Sequence, residues 1–104
     1  MSSNHDKPVY GGAPSEQPVP TPRPSKVTAP GIRARKNGSP ILCLTAYDYP
    51  TARLVDEAGF EILLVGDSMA NVVLGHASTL KISLDQIISA TRAVKRAVDR
   101  PLVV

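Results

Sequence analysis

Three short apolar runs alternate with helical stretches, and this alternation limits the possible folds more than any other feature of the sequence. The runs are ILCL at 41–44, ILLV at 62–65 and LVV at 102–104. A continuous run of this length is typical of a strand that is covered on both faces of a parallel sheet. The order strand, helix, strand, helix, strand therefore predicts an α/β fold with right-handed crossovers.

The first crossover helix has recognisable ends. Asp48 or Tyr49 suits its cap, Pro50 suits its first turn and Gly59 suits the stop. Within this helix, Asp56 falls on the side that the apolar spacing predicts to face outward.

The second crossover helix begins with a capping box. Ser83 is followed three residues later by Gln86, and apolar residues then repeat at helical spacing through residues 83–98. Pro101 disfavours helix in the residue before it, so the helix is expected to end by then. A short basic helix is predicted over residues 32–36.

The start of the chain has a different composition. Seven of the ten prolines lie in the first thirty residues, with few large apolar side chains between them. Residues 1–27 are therefore predicted to be a disordered tail, and residues 28–104 to be the folded portion. The tail lacks the apolar core of a secretory signal, and no apolar run approaches the length of a membrane span.

The single cysteine and the charge pattern narrow the functional classes. Cys43 cannot form an internal disulfide and is expected to be a small buried residue within the first strand. A cytoplasmic location fits this composition. The net charge is +3 without a basic stripe interleaved with aromatic residues, so nucleic-acid binding is not favoured.

Two architectures fit the predicted elements: a doubly wound sheet and a (β/α)₈ barrel. A barrel needs about 200 residues or more, whereas this chain has 104 residues and three predicted strands. If the fold is a barrel, the chain is expected to supply its first three strands and their helices.

Polar residues follow the first two strands, where parallel α/β folds bind their ligands. Tyr47 and Asp48 follow the first strand, and Asp67 and Ser68 follow the second. Asp67 could give a hard oxygen ligand to Mg²⁺, and Ser68 could donate to a substrate oxygen. The same two residues could instead form a turn by bonding local amides, and the residues alone favour that turn.

Two short sequence motifs resemble those of a known family. TAYDY at 45–49 and LVGDS at 64–68 resemble the opening of ketopantoate hydroxymethyltransferases, and the likeness covers about residues 27–104. The resemblance implies a (β/α)₈ barrel that is commonly decameric. It also implies transfer of a hydroxymethyl group from 5,10-methylenetetrahydrofolate to 3-methyl-2-oxobutanoate, with Mg²⁺ chelating this keto acid. The product, 2-dehydropantoate, belongs to pantothenate biosynthesis.

The resemblance also implies roles for individual residues. Asp67 matches a family metal ligand, Asp67 and Ser68 match the pair that contacts the keto acid, and Tyr47 matches a residue near that pocket. The family's second metal aspartate and its proposed general base come later than Val104. No catalytic residue is therefore assigned in this chain, which is expected to be inactive by itself.

Two alternatives stay open at this stage. Three residue pairs also resemble motifs of isocitrate lyases and phosphoenolpyruvate mutases, namely Tyr47-Asp48, Ala52-Arg53 and Ala58-Gly59. The LVGDS motif, however, suits the transferase. The chain could also be a non-catalytic remnant that binds full-length subunits.

Overall fold

Three parallel strands form one sheet in the computed structural model, which describes residues 25–104. The strands, in sheet order, are β1 (Cys43–Thr45), β2 (Ile62–Leu64) and β3 (Leu102–Val103). Leu63 pairs with Leu44 on one side and with Val103 on the other. The predicted α/β class and parallel pairing are confirmed. Of the predicted tail, only residues 25–27 are among those described.

Helices precede and connect the strands. They are α1 (Ala29–Ala34), α2 (Tyr49–Glu57), α3 (Met69–Val72) and α4 (Leu84–Ala97), with a 3₁₀ turn at Thr79–Lys81. The basic helix begins earlier than predicted because Thr28 caps it and Pro30 occupies its first turn. No helix in residues 25–104 is long and apolar enough to cross a membrane.

The predicted helix ends of α2 and α4 are confirmed. The Asp48 carboxylate accepts a hydrogen bond from the backbone N–H of Thr51 at 2.9 Å, and Gly59 follows α2 with φ of 91°. Before α4, the Ser83 N–H donates to the Gln86 side chain at 2.9 Å, and the Gln86 N–H donates to the Ser83 hydroxyl at 3.2 Å. Both ends therefore depend on local contacts, which a sequence pattern can reveal.

The core joins the middle strand to the two longer helices. Leu63 of β2, Ala52 of α2 and Val94 of α4 are each fully buried. The remaining buried apolar members of this cluster are Ala46, Val55, Val65, Met69, Ala90, Ala97 and Val98. Helices α2 and α4 thus pack on each other over one face of the sheet.

The opposite sheet face is open, which corrects two expectations. Cys43 pairs with Ile62, and Ile62 pairs with Leu102, so these three residues share the face opposite to Leu63. All three residues of β1 are exposed, and Cys43 is exposed rather than buried. The prediction of a first strand covered on both faces was wrong, because within residues 25–104 the buried core lies on the Leu63 face and leaves the Cys43 face uncovered.

Asp56 is also placed differently from the prediction. Its exposed fraction is only 6%, and its Oδ2 accepts a hydrogen bond from the Asp99 N–H at 2.8 Å. This bond links α2 to the turn that follows α4. The apolar spacing of α2 could not indicate it, because Asp99 lies 43 residues later in the chain.

Glu61 connects α1 to the amino ends of the strands. Its carboxylate accepts hydrogen bonds from the Arg35 guanidinium at 2.9 Å and from the Leu42 N–H at 2.7 Å. The Arg35 hydrogen bond, followed by the bond from Leu42, lowers the pKa of Glu61. A carboxylate stabilised in this way favours the folded state while it is ionised.

The first prediction follows from this lowered pKa. The contribution of Glu61 to stability is present above the unfolded pKa of about 4.3 and is lost as pH falls through the lower folded value. We expect Glu61→Gln to lower the unfolding temperature at pH 7 and to reduce its dependence on pH between about 5 and 3. Thermal unfolding across this range is the measurement, with Glu57→Gln as an exposed control. A parallel pH dependence in Glu61→Gln and the unsubstituted chain would contradict the assignment.

The second prediction follows from the open sheet face. Leu64 and Val104 are exposed by 36% and 60%, and both outer strands lack a second neighbour within residues 25–104. Unpaired strand edges beside apolar surface promote association. We expect analytical ultracentrifugation of the 104-residue chain to show concentration-dependent association. A monodisperse monomer with a sharp cooperative unfolding transition would contradict this expectation.

Candidate functional site

The carboxyl ends of β1 and β2 bring Tyr47 and Ser68 into contact. The pairing of Thr45 with Leu64 aligns the two loops that follow these strands. The Tyr47 hydroxyl and the Ser68 Oγ then form a hydrogen bond across 21 residues of sequence. Both side chains are half-buried, so the bond is partly shielded from water.

Ser68 occupies the N-cap position of α3, yet its side chain makes no capping hydrogen bond. The turn interpretation required this hydroxyl to bond a local amide. Its partner is instead the Tyr47 hydroxyl, which reaches it from a different loop. A hydroxyl pair of this kind can donate one proton outward, because each group carries one donor and two acceptor positions.

Asp67 lies beside this pair and is exposed. Among the bonds within residues 25–104, its backbone carbonyl accepts from the Ala70 N–H at 3.0 Å, and its carboxylate accepts none. An exposed carboxylate at a strand end can bind a cation or a polar ligand without breaking an internal contact. Residues 66–69 do form a turn, closed by the Met69 N–H donating to the Gly66 carbonyl at 3.2 Å, but within residues 25–104 the Asp67 carboxylate does not bond the amides of that turn.

Residues 25–104 contain no group of three or more His, Cys, Asp or Glu side chains that could hold a metal ion. Asp67 alone gives one carboxylate, whereas Mg²⁺ prefers six oxygen ligands in octahedral geometry. The described residues therefore do not form a complete magnesium site by themselves.

A cavity of about 350 Å³ opens beside Tyr47, between the start of α2, α3 and α4. Its lining residues are Tyr47, Asp48, Tyr49, Met69, Val73, Gln86, Ser89, Ala90 and Ala93. The contributions of Gln86 and Ser89 were missed by the sequence reasoning, because only the packing of α4 against α2 places them here. Asp48 also lines the cavity, although its carboxylate is already bonded to Thr51 as the cap of α2.

Comparison with known proteins gives a consistent result. A family model described as "Ketopantoate hydroxymethyltransferase" matches residues 26–104. This match covers α1, all three strands and the loops that hold Tyr47, Asp67 and Ser68.

Individual relatives agree with the family model. Proteins named 3-methyl-2-oxobutanoate hydroxymethyltransferase from Aeropyrum pernix and Oleidesulfovibrio alaskensis are 54% and 56% identical over 79 and 78 residues. These alignments cover 76% and 75% of this chain, and 29% and 27% of the relatives. A protein from Arabidopsis thaliana, named 3-methyl-2-oxobutanoate hydroxymethyltransferase 1, mitochondrial, is 45% identical. That alignment covers all of this chain and 29% of the Arabidopsis protein. The chain thus spans less than a third of each of these relatives.

The third prediction tests the hydroxyl pair. Because each substitution removes one partner of the bond, Tyr47→Phe and Ser68→Ala should each destabilise the chain, and the double substitution should cost less than their sum. We expect a coupling free energy of about 0.5–1.5 kcal/mol from a double-mutant cycle in chemical denaturation.

The control cycle combines Tyr47→Phe with Ser89→Ala, because Ser89 lines the same cavity without bonding Tyr47. It should be additive within about 0.5 kcal/mol. A Tyr47–Ser68 cycle that is equally additive would show that the two hydroxyls do not interact.

Proposed function

We infer the function from one premise: this chain belongs to the ketopantoate hydroxymethyltransferase family. Its relatives are named as hydroxymethyltransferases of 3-methyl-2-oxobutanoate. We propose that the chain supplies the first part of the substrate site for that reaction. The one-carbon donor proposed is 5,10-methylenetetrahydrofolate, and the product is 2-dehydropantoate.

The contact between Tyr47 and Ser68 is the observation that carries this proposal. It holds the Ser68 hydroxyl at the carboxyl edge of the sheet, beside the exposed Asp67. In the proposed role, Ser68 donates a hydrogen bond to an oxygen of the keto acid, and Tyr47 positions that hydroxyl. A fixed donor is more effective than a mobile one because its orientation cost is met during folding.

Magnesium is proposed as the cofactor, with Asp67 as one of its ligands. Carboxylate oxygen is the donor that Mg²⁺ prefers, and the ion is commonly held by one or two carboxylates together with substrate and water oxygens. When bound, Mg²⁺ would polarise the keto oxygen and make the neighbouring C–H more acidic. No general base is assigned among the described residues.

The barrel, the assembly and the location are also proposals. Three parallel strands in sequential order fit the opening of a (β/α)₈ barrel, to which residues 28–104 would contribute. A homo-oligomer, decameric as in the resembling family, is proposed for the working enzyme. A cytoplasmic location stays a prediction, and one relative is named as mitochondrial.

The open sheet face supports a second candidate function. A chain with Leu64 and Val104 exposed could associate with full-length subunits of the same family without catalysing a reaction. Co-purification with a full-length relative, combined with the activity assays below, separates this role from catalysis. The family match favours the transferase over the lyase and mutase group, although the sequence also contains motifs that resemble that group.

The fourth prediction tests the assigned roles in a chimera. The 79 aligned residues of the Aeropyrum pernix relative would be replaced by their counterparts from this chain. We expect the chimera to transfer the hydroxymethyl group. Asp67→Asn in the chimera should lower Mg²⁺-dependent keto-acid affinity by about a hundredfold or more, because the charge is lost while the volume is nearly unchanged.

Asp48→Asn is the matched control, since it makes the same chemical change in the loop after β1, whereas Asp67 lies in the loop after β2. Asparagine caps a helix about as well as aspartate, so keto-acid affinity should stay within about threefold and stability should change little. Isothermal titration of both variants measures the difference. Equal keto-acid affinity in Asp67→Asn and the unsubstituted chimera would show that Asp67 is a turn residue and not a metal ligand.

The fifth prediction concerns the 104-residue chain alone. Its described residues offer a single carboxylate at the proposed metal position and no assigned base. Loss of general acid–base help is typically worth 10²–10⁴-fold, so we expect no measurable transfer with the keto acid, the folate donor and Mg²⁺. Turnover at ordinary enzymatic rates, from a preparation free of host enzyme, would contradict this expectation.

A further inference from the structure

A second cavity lies near the amino ends of the strands, away from the proposed substrate site. It is an open cavity of about 320 Å³, lined by the segment before α1, by α1 itself and by Arg100. Its lining residues are Ser25, Lys26, Val27, Thr28, Gly31, Ile32, Arg35 and Arg100. A backbone hydrogen bond from the Val27 N–H to the Arg100 carbonyl, at 2.9 Å, joins the segment before α1 to the start of β3.

The cavity carries an excess of positive charge. Among residues 25–104, the charged side chains that line it are Lys26, Arg35 and Arg100. Glu61 pairs with Arg35 at 2.9 Å, whereas neither Lys26 nor Arg100 forms an ion pair within residues 25–104. The lining therefore contains three cationic side chains, and the carboxylate of Glu61 interacts with Arg35 and, more weakly, with Arg100.

Backbone carbonyl groups hold Arg100 in place. Its Nη1 donates to the carbonyl oxygens of Gly59 at 3.1 Å and Phe60 at 3.4 Å. Its Nε is buried and has no hydrogen-bond partner. Arg100 also contributes to the lowered pKa of Glu61, so that carboxylate partly compensates its charge. Within residues 25–104 no carboxylate accepts a hydrogen bond from the guanidinium, and Nη2 is available to donate to an anion.

The other polar side chains at the cavity are hydroxyls. Thr28 Oγ accepts from the Gly31 N–H at 3.1 Å, so its own proton remains able to donate. Ser25 adds a second hydroxyl to the lining. The side chains available to a ligand are therefore donors and cations, which suits an acceptor-rich anion.

We propose that this cavity binds a phosphate group, carried either by inorganic phosphate or by a phosphate monoester. The three cationic side chains of the lining suit the negative charge that phosphate carries near neutral pH. Lys26 would act as a mobile point charge, and the fixed guanidinium of Arg100 would give directed hydrogen bonds. This site is independent of the transferase assignment, since it shares no residue with the Tyr47–Ser68 pair.

Isothermal titration of the full 104-residue chain with inorganic phosphate at low ionic strength tests the proposal. We expect saturable binding that Lys26→Gln and Arg100→Gln each weaken by about tenfold or more, the effect of losing one charge-assisted bond. Lys95→Gln and Arg92→Gln are matched controls, because both residues are exposed on α4 and neither lines the cavity. Both controls should bind phosphate like the unsubstituted chain.

Lys26 is exposed and makes no internal ion pair, so Lys26→Gln tests the site even if Arg100→Gln fails to fold. Equal phosphate affinity in Lys26→Gln and the unsubstituted chain would overturn the proposal, as would the absence of saturable binding. Glycerol-2-phosphate identifies the source, since tighter binding than inorganic phosphate indicates a monoester and weaker binding indicates the free ion. Malonate binding as tightly as either phosphate would overturn the assignment to phosphate.

Discussion

The parallel pairing of β2 with both of its neighbours is the constraint on which the rest of the structure depends. Leu63 pairs with Leu44 and Val103, and its burial anchors the core beneath α2 and α4. The same register aligns the loops after β1 and β2, so Ser68 meets Tyr47 at one edge of the sheet. A one-residue slip of β2 would turn Leu63 away from the helices and separate the two hydroxyls.

Features that depend on local contacts could be predicted from the sequence. The capping box of Ser83 and Gln86 and the Asp48 cap were both predicted, because a few adjacent residues determine them. The exposure of Cys43 and the burial of Asp56 could not be predicted in this way. The first depends on which face of the sheet the helices cover, and the second on a hydrogen bond from a residue distant in sequence.

The candidate site also combines features that the sequence could predict with features that it could not. Strand order alone placed Asp67 and Ser68 at a ligand-binding edge, but the residues alone favoured a turn. The resemblance to a family reversed that preference, and the bond between Ser68 and Tyr47 supports the reversal.

The carboxyl and amino edges of the sheet also differ in chemistry. The carboxyl end presents Asp67 beside neutral hydroxyls, whereas the amino end gathers the cations around Arg100.

We propose that Asp67 and Ser68 form part of a keto-acid site. The most direct measurement is a crystal structure of the chimera with Mn²⁺ in place of Mg²⁺ and with 3-methyl-2-oxobutanoate bound, using the anomalous signal of the metal. We predict metal density within about 2.3 Å of an Asp67 carboxylate oxygen, with the keto acid bonded to the Ser68 hydroxyl. Keto acid and metal bound elsewhere, with Asp67 turned onto the amides of its own loop, would contradict it.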